Sequence, residues 1–537
     1  MPFGPPAPCW LWWLPVLFLA GAIPQNFSGE AFYDFQFPYR DSFLESSRVF
    51  FLERVRSRLM HGVVISAVYD IVGFNPPAIY LSIFLMIIAT AVIIAFSLKR
   101  FIHSPWVAAL LVFALAWLPL NITDLMALKK AHHVFAWFLF WLAVLLFQRW
   151  VVNKRLPWLF GATFSFICSV LAYEATIGLF PIAVFLSVHY IKDPKDWLNK
   201  LALTAWISML AAFAFLNLEA IKPFSGVETM YSGSLFDASQ ILQTAATLLP
   251  QFPDAIFSGA LFGEMSSTPL LLPISQIISI GILVLLFLIL WTAVSREKRG
   301  RAGKPETLAL CVAGAWLALF TYAPFLLAGQ PPDSDSLRGF AFGMFLIALG
   351  GALFLQQPRG RAWRSSAILA AVCGFWIMAG GLAYAQGVKT ARQQDLILRN
   401  FVISLKAQVP DVAYGTQFVF VNASLGRTGC IGALNMLYDH NELQCIHLLD
   451  GDTQETYTRL PDGLLETGGR LKREYFIILT FDQLGNVTLI DEFGPENYPD
   501  LPITWESTET LRTDFRLILP QAEGKNLDFY NYIVSHR

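Results

Sequence analysis

Among the 537 residues of this chain, a small set of carboxylates and cations has the types needed for group transfer. Asp34 lies in an aromatic stretch, Tyr33-Asp34-Phe35-Gln36-Phe37-Pro38-Tyr39-Arg40-Asp41, with Glu30 just before it. A carboxylate placed there could take the proton of an acceptor hydroxyl, a general-base role that contributes typically ~10²–10⁴-fold. Asp34 is the first candidate base, Asp41 the second and Glu30 the third. A sugar carried on phosphate also needs positive charge, from Arg, Lys or a divalent metal, where the phosphate departs. Arg338, Lys129, Lys130 and Arg40 are the candidates for that role. Glu174, in Tyr173-Glu174-Ala175 between two apolar runs, is a candidate to shape the site or hold a cation. Each residue also has a plainer role open to it. Asp34, Asp41 and Glu174 could solvate turns, and Lys129 and Lys130, followed by His132 and His133, could anchor to lipid phosphates. Arg338 could pair with Asp333 or Asp335.

These residues are placed by apolar runs free of charge in their interiors. The chain is 55% hydrophobic, 15% aromatic and 14% charged, with a mean hydropathy of +0.52, which excludes a soluble protein. Its net charge of −1 provides no field for capturing nucleic acid, so DNA and RNA are not expected partners. Spans are expected at 9–24, 77–98, 106–120, 134–148, 157–173, 175–190, 201–218, 270–294, 307–329, 339–356 and 366–386. Several fall below the ~20 residues that cross a bilayer untilted, which suggests broken helices or a thinned bilayer. Residues 9–24 read as a retained helix, with a signal peptide as the alternative. Basic residues recur in alternate loops: Lys99 and Arg100; Arg149, Lys154 and Arg155; Lys192, Lys195 and Lys200; Arg296 to Lys304; Arg359 to Arg364. The positive-inside rule makes those loops cytoplasmic and puts Asp34, Glu174 and Arg338 outside.

Outer loops are expected over 25–76 and 219–269. The first carries an amphipathic stretch from Phe43 to Met60, suited to lying flat at the interface. The second carries an amphipathic candidate from Asp237 to Leu249. From 387 to 537 the chain reads as a small extracytoplasmic α/β domain. A polar amphipathic helix runs to Val409, and strands are expected at Gln417–Val421 and Leu443–Leu449 with a helix at Gly432–Leu437. A hairpin follows, with Tyr475–Thr480 and Val487–Phe493 flanking Asp482-Gln483-Leu484-Gly485-Asn486. Cys430 and Cys445 are the two cysteines of this domain and candidates for a disulfide in an oxidising compartment. The cysteines in or beside spans, Cys9, Cys168, Cys311 and Cys373, read as small apolar side chains. Asn26, Asn121, Asn422 and Asn486 match the glycosylation acceptor pattern, with meaning only in a secretory-pathway host.

The run from Tyr33-Asp34-Phe35 through Arg56-Ser57-Arg58-Leu59 to Gly73-Phe74-Asn75-Pro76-Pro77 resembles the first loop and second span of GT-C superfamily membrane glycosyltransferases, the polyprenyl-phosphate-sugar-dependent mannosyl- and arabinosyltransferases among them. The Tyr173-Glu174 tip and Arg338 before a late span are similar too, over residues 9–386 in layout. The resemblance implies a helical polytopic membrane protein of about 11 spans with a small C-terminal α/β domain. It implies inverting transfer from a polyprenyl-phosphate-linked sugar to an extracytoplasmic glycan, lipid or protein acceptor. By position, the family's catalytic acid corresponds to Asp34. Many members carry two adjacent acids there, whereas this chain has Asp34 between Tyr33 and Phe35, and a divalent cation remains an open requirement. A non-catalytic envelope scaffold, a lipid-linked sugar flippase and a polysaccharide polymerase or ligase are the alternatives.

Overall fold

The computed structural model describes residues 59–72, 75–101, 105–116, 131–191, 193–221, 304–321, 392–413, 415–421, 427–438, 443–447, 476–494, 511–521 and 527–535, with scattered positions elsewhere, among them several between 342 and 350. The chain divides into two compact units, the first ending at Val388 and the second continuing from Lys389.

The first unit is helical: α1 (Leu59–Val72), α2 (Pro76–Ser97), α3 (Pro105–Ala116), α4 (Ala131–Asn153), α5 (Leu156–Ala172), the short α6 (Ile182–Phe185), α7 (Pro194–Ile221) and α8 (Lys304–Phe320). Among the described residues three segments are long and apolar enough to cross a membrane, Pro77–Ser97, Ala131–Asn153 and Pro194–Phe215, and Leu156–Ala172 and Thr307–Phe320 are shorter apolar helices. The start of α2 follows from its sequence. Asn75 caps it by accepting from the Ala78 amide at 3.2 Å, and proline occupies the first helical turn, where no amide partner is needed. Helix α1 falls within the outer loop expected over 25–76; its Val64 and Ser66 are buried, and it packs on α4 and α5. The amphipathic stretch from Phe43 lies almost wholly outside the described residues, as do the spans at 9–24, 270–294 and nearly all of 366–386.

The span expected at 175–190 is not a continuous α-helix. A 3-10 turn at Glu174–Thr176, the single turn of α6 and a second 3-10 turn at Val188–Tyr190 replace it. Its amides bond mainly three residues back, as in Leu179 to Thr176 at 3.1 Å, Ala183 to Phe180 at 3.0 Å and Ser187 to Val184 at 2.9 Å. Pro181 supplies no amide, which interrupts an α-helical ladder. Irregular backbone at membrane depth survives only inside protein, and Leu179 to Leu186 are buried without exception. Two side chains supply the donors that regular winding would have given. Gln148 Nε2 donates to the Leu186 and Ser97 carbonyls, both at 3.1 Å, and Trp316 Nε1 donates to the Gly178 carbonyl at 2.9 Å. Phe180 stacks on Phe166 of α5 with ring centroids 4.6 Å apart.

Where α8 meets the helical positions around 343, glycine is required. A Cβ on Gly314 would lie 2.4 Å from the Gly343 carbonyl oxygen, and one on Gly343 would lie 2.4 Å from that of Gly314. Small residues let apolar helices touch backbone to backbone in this way.

In the second unit, a helix over 392–408 (α9) precedes β1 (Asp411–Val412), β2 (Gln417–Phe420), α10 (Arg427–Tyr438), β3 (Gln444–His447), β4 (Phe476–Phe481), β5 (Val487–Ile490), β6 (Glu492–Phe493), β7 (Leu511–Arg512), β8 (Ile518–Leu519) and α11 (Leu527–Ser535). The main sheet has the order β3-β2-β4-β5, with β2 parallel to both neighbours and β5 antiparallel to β4. All four residues of β2 are buried, as in a strand covered on both faces. Helix α9 closes the open edge of β5: Ser404 Oγ accepts from the Val487 amide at 2.9 Å, and Gln408 Oε1 accepts from the Leu489 amide at 2.7 Å. Asp395 and Arg399 of α9 form a buried ion pair, and Arg399 also donates to the Ile533 carbonyl of α11 at 3.2 Å. Cys430 of α10 and Cys445 of β3 are brought together as buried free thiols rather than joined as a bridge. Burial, then the neighbouring Cys445, pushes the Cys430 thiol well above its usual value.

Candidate functional site

Helices α4 and α5 form the tightest pair in the first unit, antiparallel and joined by Lys154 and Arg155. Their other ends, the start of α4 and the end of α5, meet at the Tyr173-Glu174 tip. Small residues make that approach close, since Ala136, Ala172 and Ala175 pack with Tyr173 in one buried cluster. Hydroxyls then fix the tip. Ser169 Oγ donates to the Ala136 carbonyl at 2.8 Å and lies 3.1 Å from Thr176 Oγ1, which donates to the Tyr173 carbonyl at 3.0 Å.

This frame holds four polar side chains away from solvent: His132, His133, Tyr173 and Glu174, each no more than 5% exposed. The His132 and His133 rings lie 4.0 Å apart, and Tyr173 lies 4.2 Å from His133 and 6.4 Å from His132. An ionised carboxylate taken out of water costs several kcal/mol unless it meets donors or a cation. A glutamate so placed is therefore a costly choice for a mere turn residue, and the imidazoles buried at the same tip are groups that can hold or pass protons. Glu174 was legible from sequence as a site candidate. His132 and His133 were legible only as companions of Lys129 and Lys130, and their signal was two adjacent imidazoles at the first turn of an otherwise apolar helix.

Of the other sequence candidates, Asp34, Asp41, Glu30, Arg40, Lys129, Lys130 and Arg338 lie outside the described residues. In sequence, Lys129 and Lys130 immediately precede α4, whose first turn carries both histidines. Among the described residues no three of His, Cys, Asp or Glu are grouped so as to hold a metal ion. A small apolar cavity between α2, α3 and α4, lined by Ile87, Thr90, Leu115, Val134, Trp137 and Phe342, measures about 10 Å³. That is room for one water at most, not a sugar.

The chain matches no family model and no curated relative. Solved structures similar to it include two of ArnT from Cupriavidus metallidurans. The apo state is 13% identical, covering 91% of this chain and 94% of that one, with a TM-score of 0.36. The state bound to undecaprenyl phosphate is 13% identical, covering 92% and 96%, with a TM-score of 0.35.

Proposed function

We propose that this chain is an integral membrane glycosyltransferase that moves a sugar from a polyprenyl-phosphate donor to an extracytoplasmic acceptor. The observation that carries the reading is the buried group of His132, His133, Tyr173 and Glu174, gathered at one end of a helical hairpin whose other end bears the basic loops. In the charge-derived topology that polar end faces outward, on the side of Asp34 and Arg338.

In this reading Asp34 accepts the proton of the acceptor hydroxyl, with Asp41 next in line, as its oxygen attacks the anomeric carbon. The bond from that carbon to the phosphate oxygen breaks with inversion, and its electron pair leaves on the phosphate. Arg338, with Lys129 or Lys130 and Arg40, neutralises the departing charge. Glu174, buried at the same tip, shapes the pocket on the helical side. The second unit lies outside the membrane and binds acceptor. A divalent cation would add charge neutralisation at the leaving phosphate, and no step above depends on one.

The test is transfer of radiolabelled sugar from a panel of polyprenyl-phosphate sugars by purified protein in lipid, comparing wild type with Asp34→Asn and Glu174→Gln. Transfer that collapses in Asp34→Asn at unchanged folding supports both the class and the base. Binding of a lipid-linked sugar with no transfer from any donor would instead move the flippase and scaffold readings ahead.

A further inference from the structure

At the basic end of the same hairpin, a loop and the start of a later helix converge on one indole. Lys154, in the link between α4 and α5, places its Nζ 5.6 Å from the Trp150 ring centroid. Lys200, from the second turn of α7, places its Nζ 5.7 Å from the same centroid. Each of the two amino groups lies close enough for its charge to act on the other. Lys154 is held there by its backbone: it adopts φ +56°, the only non-glycine residue with positive φ among those described, and its amide caps α4 by donating to the Trp150 carbonyl at 2.7 Å.

The charges do not balance locally. Lys200 is buried and pairs with Asp196 one turn before it, which occupies the one carboxylate of the group. Lys154 is exposed, and no carboxylate pairs with it among the described residues. Burial first, and the charge of Lys200 second, lower the Lys154 ammonium from its usual value. The Asp196 carboxylate acts on both ammonium groups, but one negative charge against two positive ones leaves a net charge of one that a further anion would neutralise. Phosphate oxygens fit that role, and lysine is a common point-charge partner for them.

We propose that Lys154 and Lys200, over Trp150, form a clamp for the phosphate of an anionic phospholipid headgroup at the basic ends of α4 and α7. Trp150 fits the assignment to lipid rather than to a soluble anion. It is a half-buried indole at the last turn of an apolar helix, where aromatic side chains sit at headgroup depth. Exposed Arg149 and Arg155, next to Trp150 and Lys154 in sequence, add attraction to the same surface. The inference needs α4 and α7 to cross a bilayer and is independent of glycosyl transfer.

The experiment is a titration of full-length protein with short-chain phosphatidylglycerol, phosphatidylcholine and inorganic phosphate, read by native mass spectrometry and thermal shift. Lys154→Gln is the main variant because Lys154 is exposed, so the fold does not depend on its ammonium. Lys195→Gln, an exposed lysine on α7 outside the group, is the control. Saturable phosphatidylglycerol binding is expected in wild type, weakened about fivefold in Lys154→Gln and unchanged in Lys195→Gln. Equal weakening by both variants would reduce the clamp to a diffuse surface field and overturn the proposal. Competition by millimolar inorganic phosphate, or equal binding of phosphatidylcholine, would overturn the lipid assignment.

Discussion

At one end of the α4–α5 hairpin Glu174, His132 and His133 are withdrawn from solvent, whereas at the other Arg149, Lys154 and Arg155 stay exposed. The helices are the same, so the difference lies in what each end is asked to do. Exposed arginine and lysine cost little to place and are enough to orient a span in the membrane. A carboxylate and two imidazoles inside a packed tip cost desolvation, which a structure keeps only where they contribute fixed geometry or chemistry. Two other buried polar groups of the hairpin follow a third rule. Gln148, near the basic end, and Ser169, near the tip, donate to carbonyls on neighbouring elements and act as joints.

Substitutions along the hairpin should separate these three rules. The largest effect is expected for Glu174→Gln, which keeps the shape and removes the charge: sugar transfer should fall about 10²-fold with little change in melting. A variant that melts early but retains full specific activity would make the tip structural. Next comes Gln148→Leu, which leaves the Leu186 and Ser97 carbonyls without their donor. It should cost about 2 kcal/mol in thermal unfolding in detergent, and an unchanged melting curve would show that both carbonyls find other partners. In the second unit, Asp482 provides a surface contrast. Hydrogen bonds from the Asn486 side chain, and then from backbone amides, hold its carboxyl below the ordinary value of 3.8. A depressed carboxyl contributes stability that is complete above the unfolded value and fades as pH falls through the folded one. Amide protection in the β4–β5 hairpin should therefore decline only below about pH 3.8. Asn486→Ala should flatten that decline in hydrogen exchange, and an identical acid profile would exclude the interaction as its cause. The smallest effect is expected for Arg155→Gln, within about 0.5 kcal/mol; a larger loss of stability would show that the exposed end also carries packing.

Local signals reached some elements and stopped at others. The β4–β5 hairpin was legible because two short runs rich in β-branched and aromatic residues bracket Asp482 and Gly485, and the structure gives Gly485 the φ of +89° that its turn needs. The Asn75-Pro76-Pro77 start of α2 was legible through its cap. Residues 175–190 were not, because an all-apolar run carries no periodicity to separate regular from broken winding, although Gly178 and Pro181 marked the interruption. The placement of β2 between β3 and β4 also escaped, since parallel pairing is set by long-range packing. Of the candidate site, Glu174 stood out as a lone acid between spans. Its company with His132, His133 and Tyr173 depends on how two helix ends meet, which no local spacing encodes.

The broken segment after Glu174 also sets a length. Wound as α-helix, the sixteen residues from 175 to 190 would rise about 24 Å; wound throughout as 3-10 helix they would rise about 32 Å. A hydrocarbon core is about 30 Å thick. The steeper rise of 3-10 winding thus lets a run too short for an ordinary span carry the chain from the buried Glu174 tip to Tyr190, whose hydroxyl accepts from Arg100 at 3.3 Å at the basic end.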